Sequence, residues 1–129
     1  MSVGLVIVSH GGTADSLVAE AEFVVGGKLD RVWPIAFNHS EGHREELVRI
    51  HQAIEKADSG DGVLVLTDLV GSSPSNLVVD LLPSRNAVLV TGITLAMLLS
   101  VWNYRGQPLG MLARKAVDSG RRSIKIFQS

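Results

Sequence analysis

The sequence contains no cysteine and few aromatic residues. Without cysteine, disulfide bonds, thiolate metal sites and cysteine nucleophiles are all excluded. Aromatic residues make up 5% of the chain, while hydrophobic residues as a whole make up 46%, so the core must be built from aliphatic side chains. Such a core is typical of a parallel sheet covered by helices and disfavours an aromatic-rich β-sandwich.

The chain also lacks an excess of charge and long apolar runs. With 12 basic and 13 acidic residues, its formal net charge is -1, and no basic block of the kind that binds nucleic acid is present. No apolar run approaches the roughly 20 residues of a membrane helix, and the N-terminus has no signal-peptide pattern. We therefore expect one cytoplasmic domain spanning residues 1–129, with no nucleic-acid ligand and no direct membrane insertion.

One apolar stretch near the N-terminus stands out because it ends abruptly in small and ionisable residues. Residues 3–8 are apolar without polar alternation, which predicts a strand buried on both faces. Ser9, His10, Gly11 and Gly12 follow directly. His10 is thus predicted at the carboxyl end of a strand, where open α/β sheets keep their chemistry.

Three further strands are predicted, at residues 31–37, 63–66 and 87–90, with helical periodicity between them. Pro34 cannot donate a backbone hydrogen bond, so it places the second strand at a sheet edge. Thr13 is the expected N-cap of the first helix.

The C-terminal part departs from simple alternation because two successive helical patterns follow the fourth strand. One helix returns the chain for a parallel strand, but two return it to the opposite end, so residues 123–127 are predicted to form an antiparallel strand. The expected fold is an α/β three-layer sandwich with a mostly parallel sheet of about five strands. In this arrangement the C-terminal strand is antiparallel and helices cover both faces.

Parallel strands bring three loops together at one edge of this sheet. These loops comprise residues 9–12, 68–76 and 92–94. If the carboxylate of Asp68 accepts a hydrogen bond from Nδ1 of His10, it fixes the tautomer in which Nε2 is unprotonated and nucleophilic. We therefore predict His10 and Asp68 as a catalytic pair, in which Asp68 also balances the charge that the ring acquires on bonding an electrophile.

The second of these loops has the composition of an anion cradle. Ser73 followed by Pro74 is a strong helix-start signal, and hydroxyls with helix-terminal amides bind anions. Ser72, Ser73 and Gly11 are the predicted phosphoryl-binding residues. The loop is not a P-loop, and no G-x-S-x-G elbow supports a serine hydrolase.

The other three histidines suggest a metal site only weakly. His39, His43 and His51 have spacings that fit one helix face, but no carboxylate is convincingly placed to complete a site. No metal and no other cofactor is expected.

Three motifs together resemble the enzyme IIA proteins of the mannose family of the bacterial phosphoenolpyruvate-dependent sugar phosphotransferase system (PTS). They are the histidine and glycine after the first strand, LTDLVGSSPSN at residues 66–76 and TGITLAML at residues 91–98. The resemblance implies that His10 accepts a phosphoryl group from the phosphocarrier protein HPr and passes it to a IIB protein, here on a separate chain. It also implies that Asp68 bonds this histidine, that Ser73 matches the family serine, and that the chain forms a homodimer.

The sequence departs from the family pattern at the rim of the site. Ser72 stands where the family usually has a second glycine, and Thr94 and Ala96 stand where it usually has asparagine and proline. Alternatives are the phosphotransfer subunit of dihydroxyacetone kinase, a purely regulatory carrier, a tetrapyrrole metal chelatase and a non-catalytic ligand-binding module.

Overall fold

The computed structural model describes residues 2–38, 42–69 and 73–129, and the elements below are those of this part of the chain. Strands and helices alternate up to the fourth strand, after which two helices follow. The strands are β1 (Gly4–His10), β2 (Val32–Phe37), β3 (Val63–Thr67) and β4 (Ala87–Thr91). The helices are α1 (Thr13–Val25), α2 (His43–Ala57), α3 (Ser73–Leu81), α4 (Leu95–Asn103) and α5 (Leu109–Arg122), with a short 3₁₀ turn (Leu82–Ser84) before β4.

The four strands form one parallel sheet in the order β2-β1-β3-β4. This order puts the two most apolar strands in the centre, where helices cover both faces. Every residue of β3 is buried, as is β1 up to Ser9. β2 lies at an edge, as Pro34 predicts, because an edge strand needs fewer backbone donors.

Alternation of side chains along each strand divides the core into two layers. Leu5 and Ile7 of β1 pack with α1, α4 and α5, whereas Val6 and Val8 pack with α2 and α3. All four are 0% exposed, and burying a side chain of this size contributes roughly 1.5–3 kcal/mol. β1 is thus held from both sides.

Gly4 allows α2 to approach the start of β1 closely. A Cβ atom at this position would collide with the carbonyl oxygen of Ala57, the last residue of α2. Ile50 and Ile54 of α2 are buried against the sheet. The glycine therefore lets the helix pack its apolar face closely on the strand that carries His10.

The predicted fifth strand is wrong for the residues that the structure describes. α5 continues to Arg122, and residues 124–129 form no strand. Ile124, Ile126 and Phe127 are 79%, 86% and 89% exposed. Two successive helices set the direction in which a following segment runs, but they do not bring it to a sheet edge. The alternating apolar side chains of this tail are therefore not buried by other parts of the described chain.

Among the residues placed by the structure, no helical segment has the length and hydropathy of a membrane span.

Candidate functional site

The carboxyl ends of β1 and β3 lie side by side because these strands are parallel neighbours with Val8 paired to Thr67. The loop at residues 92–94 lies beside these strand ends, since the backbone N–H of Ile93 donates to the carbonyl oxygen of Thr67 over 3.0 Å. The described parts of the three loops therefore meet at one edge of the sheet.

His10 and Asp68 are in direct contact at this edge. Nδ1 of His10 lies 2.9 Å from Oδ2 and 3.1 Å from Oδ1 of Asp68. The backbone N–H of His10 also donates to Oδ2 over 2.9 Å. The side chains are 35% and 19% exposed, so the pair is partly shielded from water but accessible. The carboxylate thus holds both the backbone and the ring of the histidine.

This geometry determines the character of the imidazole. When Nδ1 donates to the carboxylate, the lone pair of the neutral ring is on Nε2. Burial raises the pKa of Asp68, but the hydrogen bonds from the backbone and ring of His10, with the attraction of the ring's charge, outweigh it and hold this pKa below its ordinary value of 3.8. The carboxylate is therefore ionised at neutral pH and suited to stabilising positive charge on the ring.

Phe37 is a neighbour of His10 that sequence reasoning missed. It is the last residue of β2 and pairs with His10 in the parallel register. The two rings lie 6.3 Å apart, centre to centre, at an interplanar angle of 58°. Its position at the end of the second predicted strand was a usable signal, because that strand ends at the same sheet edge.

Ser9 links the strand to the helix that follows it. Its hydroxyl is buried and accepts a hydrogen bond from the backbone N–H of Ala14 over 2.7 Å. The N-cap position is Gly12, and Thr13 is the first helical residue, so the predicted cap at Thr13 is wrong by one residue. Gly11 has a φ of +50°, a left-handed conformation that favours glycine in this turn.

The predicted anion cradle is described only in part. α3 begins at Ser73, which is exposed, with Pro74 as its second residue. Ser72 lies outside the described residues. Both α1 and α3 begin at the sheet edge that carries His10, and the N-terminus of a helix favours an anion.

The other histidines do not join this site where the structure shows them. Nδ1 of His51 contacts the guanidinium of Arg85, and Nε2 lies 3.2 Å from a carboxylate oxygen of Glu55. His39 and the side chain of His43 lie outside the described part of the chain. Within that part, no three side chains of the metal-binding types are grouped.

Comparison with known proteins identifies the family. Residues 4–115 match the family model EIIA-man, described as the PTS system fructose IIA component. The chain belongs to this family. The family predicted from the three motifs is thereby confirmed.

Similar IIA proteins include several that are named for sugars. The chain is 28% identical to the mannose-specific EIIAB component of Escherichia coli K12 over 135 aligned residues, which cover 100% of this chain and 41% of that protein. It is 32% identical to the sorbose-specific EIIA component of Lacticaseibacillus casei over 98 residues, or 75% of this chain and 70% of that one. The chain thus spans about two fifths of the length of the mannose-specific relative.

Solved IIA structures have the same fold. The mannose/sorbose-specific IIA subunit from Enterococcus faecalis superimposes with a TM-score of 0.89 at 22% identity, covering 100% of this chain and 97% of that one. A PTS IIA protein associated with the fucose utilization operon of Streptococcus pneumoniae gives 0.83 at 25% identity, with 98% and 96% covered. The parallel α/β architecture of this IIA family member is therefore shared, and the comparisons favour none of the alternative functions.

Proposed function

We propose that this IIA family member is a phosphocarrier that accepts a phosphoryl group on His10 from phospho-HPr and passes it to a IIB domain or protein. The observation that carries the proposal is the contact of Asp68 with both the backbone N–H and Nδ1 of His10. The names of the relatives support a sugar PTS as the setting, and residues 1–129 act as the IIA domain.

The transfer step uses the two ring nitrogens differently. Nε2 attacks the phosphorus of phospho-HPr in line, the new N–P bond forms, and the bond from phosphorus to HPr breaks. The proton on Nδ1 stays in its hydrogen bond to Asp68, so the ring becomes a cation facing a carboxylate. When IIB takes the group, an acceptor atom of IIB attacks the phosphorus and the N–P bond to His10 breaks. Its electron pair returns to Nε2, so the step balances without a cofactor.

Groups at the sheet edge stabilise the phosphoryl oxygens in this proposal. Ser73 supplies a hydroxyl at the start of α3, and the backbone at Gly11 together with the first-turn amides of α1 other than that of Ala14 supplies N–H donors. Ser72, although outside the described residues, is retained as a candidate hydroxyl. Loss of one such donor slows transfer by about 10²- to 10³-fold if it acts like an oxyanion-hole group.

Labelling tests the proposed acceptor. Incubation with phosphoenolpyruvate, enzyme I and HPr should give one acid-labile, base-stable phosphate per chain. His10→Ala should abolish the label, whereas the matched control His51→Ala should retain it. Label that persists on His10→Ala, or its absence from the wild-type chain, would contradict the proposal.

We also propose that the chain is a homodimer. The exposed apolar tail, with Ile124, Ile126 and Phe127 between 79% and 89% exposed, supports this because a second copy would remove it from water. Light scattering should give twice the chain mass, and Ile126→Ser with Phe127→Ser should shift the protein to the monomer. A monomeric wild-type chain would contradict this part of the proposal.

A further inference from the structure

A pair of buried hydroxyls lies directly behind Asp68. Thr67 is the last residue of β3 and is 0% exposed, and Ser75 is the third residue of α3 and is 2% exposed. Their hydroxyl oxygens are 2.7 Å apart. Side chains of these types at a strand end and in a first helical turn are ordinarily exposed or bonded locally. Here they bond to each other across the junction of two elements.

The direction of the bonds follows from the number of protons. The hydroxyl of Ser75 donates to the carbonyl oxygen of Leu69 over 2.7 Å. This bond uses the only proton of that hydroxyl, so Thr67 must be the donor in the bond between the two side chains. Ser75 therefore contacts the residue before Asp68 and the residue after it. We name these two bonds the hydroxyl bridge.

The hydroxyl bridge fixes the backbone on both sides of Asp68. The backbone of Thr67 is held as well, since its carbonyl oxygen accepts a hydrogen bond from the backbone N–H of Ile93. Ser75 in turn belongs to the helix that begins with Ser73. The hydroxyl bridge thus couples the carboxylate that orients His10 to the helix end proposed to bind the phosphoryl group.

Stability alone does not account for such a pair. A buried hydroxyl without a partner is destabilising, but replacing both partners by apolar groups of the same shape is nearly neutral. For the contact between the two side chains, an apolar pair would therefore pack as well, and only the bond from Ser75 to the carbonyl oxygen of Leu69 would be lost. A satisfied polar pair differs in that its geometry is directional, which suits a loop whose side chain must be placed accurately.

We propose that Thr67 and Ser75 are positioning residues that hold the Asp68 carboxylate on His10 during phosphoryl transfer. This inference rests on the proposed phosphocarrier function. Neither residue touches the reacting atoms, and both act through the backbone of Asp68. A shift of about 1 Å in a positioned group can slow a reaction about 10²-fold, so we expect a loss of about 10- to 100-fold without the hydroxyl bridge.

The test compares the double variant Thr67→Val with Ser75→Ala to the wild type. Removing both hydroxyls also removes the bond to the carbonyl oxygen of Leu69, so the unfolding temperature should fall by only a few degrees and the chain should stay folded. The transfer step from phospho-HPr in a single turnover should slow about 10- to 100-fold, while the concentration of phospho-HPr at half-maximal rate should change little. Thr67→Ser keeps the donor and should retain most of the rate. If the double variant does not fold, Thr67→Val alone preserves the shape and serves in its place.

A matched hydroxyl pair elsewhere provides the control. Ser100 of α4 and Ser119 of α5 have hydroxyl oxygens 2.6 Å apart, and their pair joins two helices rather than the site loops. Ser100→Ala with Ser119→Ala should leave the transfer rate unchanged. The carboxyl carbon signal of Asp68 in NMR titrations gives a second readout, which needs no partner protein. Its pKa should rise in the Thr67 and Ser75 variant and stay low in the control.

The outcomes separate this inference from the proposed function. A folded double variant with an unchanged transfer rate overturns the positioning role, as does an unchanged pKa of Asp68. A wild-type chain that takes no phosphate from phospho-HPr overturns the proposed function. In that case the titration still decides whether the hydroxyl bridge places the carboxylate.

Discussion

Replacing Asp68 by asparagine tests the central contact of the site while keeping its shape. The amide removes the negative charge opposite the ring of His10. Both carboxylate oxygens of Asp68 lie within 3.1 Å of Nδ1 of His10. In asparagine, an NH₂ group, which is a hydrogen-bond donor, replaces one of these oxygens. Because two donors cannot bond each other, the substitution favours the tautomer with its proton on Nε2, which cannot attack phosphorus.

The magnitude follows from the charges and their exposure. Two unit charges about 4 Å apart near a protein surface interact by about 4 kcal/mol. The side chains are 35% and 19% exposed, and solvent screening reduces this to about 2–3 kcal/mol. Because about 1.4 kcal/mol changes a rate tenfold, we expect transfer from phospho-HPr to slow about 30- to 150-fold.

Rapid-quench measurement of label transfer from phospho-HPr gives this rate directly. Asp80→Asn, an exposed carboxylate-to-amide change on α3, is the matched control and should transfer at the wild-type rate. Nitrogen NMR of the ring should show a larger share of the tautomer protonated at Nε2 in the Asp68→Asn chain. A folded Asp68→Asn chain with the wild-type rate and tautomer would show that the carboxylate does not control the reactivity of the ring.

Three further predictions concern stability. Because the folded pKa of Asp68 lies below 3.8, the stabilisation that the carboxylate provides is present above this value and is lost as the pH falls through the folded pKa. The free energy of unfolding measured in urea should therefore decrease at acidic pH. Asp68→Asn should flatten this dependence on pH. Ser9→Ala removes the acceptor for the N–H of Ala14 and should lower the free energy of unfolding by about 0.5–2 kcal/mol, measured by urea titration. Thr94 caps α4 by accepting from the N–H of Met97, so Thr94→Ala should cost about 1 kcal/mol and Thr94→Asp should recover most of it in thermal unfolding.

The contact between His10 and Asp68 could be anticipated because both residues lie at the ends of neighbouring parallel strands. Buried apolar runs predicted which segments are parallel strands, and the ends of neighbouring parallel strands meet at one edge. Family motifs pointed to the same two residues, and the match over residues 4–115 confirms the family. Their catalytic roles, and those of Ser73 and Gly11, stay predictions.

Residues whose position depends on register or on the exact start of a helix could not be anticipated. Phe37 lies beside His10 only because of the register in which β1 pairs with β2, and this register cannot be read from the sequence. Ser75 reaches Thr67 and Leu69 only once α3 packs on the end of β3. In both cases local patterns identified the element but not the neighbour of a particular side chain.

The wrong expectations have similar causes. Thr13 is a good capping residue by type, but the N–H of Ser16, which a cap at Thr13 could accept, donates to the carbonyl oxygen of Gly12, so the helix begins one residue earlier. The tail after α5 alternates as a strand would, but strand formation needs a partner edge as well as a pattern.

The alternation of β1 assigns two adjacent residues to opposite sides of the sheet. Ser9 bonds to α1, and His10 bonds to the end of β3. A deletion or insertion of one residue within residues 4–8 would exchange these directions, because every following side chain would change face. Such a chain would keep every site residue in its sequence yet turn its imidazole away from Asp68. When distant relatives are aligned, the length of the strand before the histidine is therefore as informative as the histidine itself.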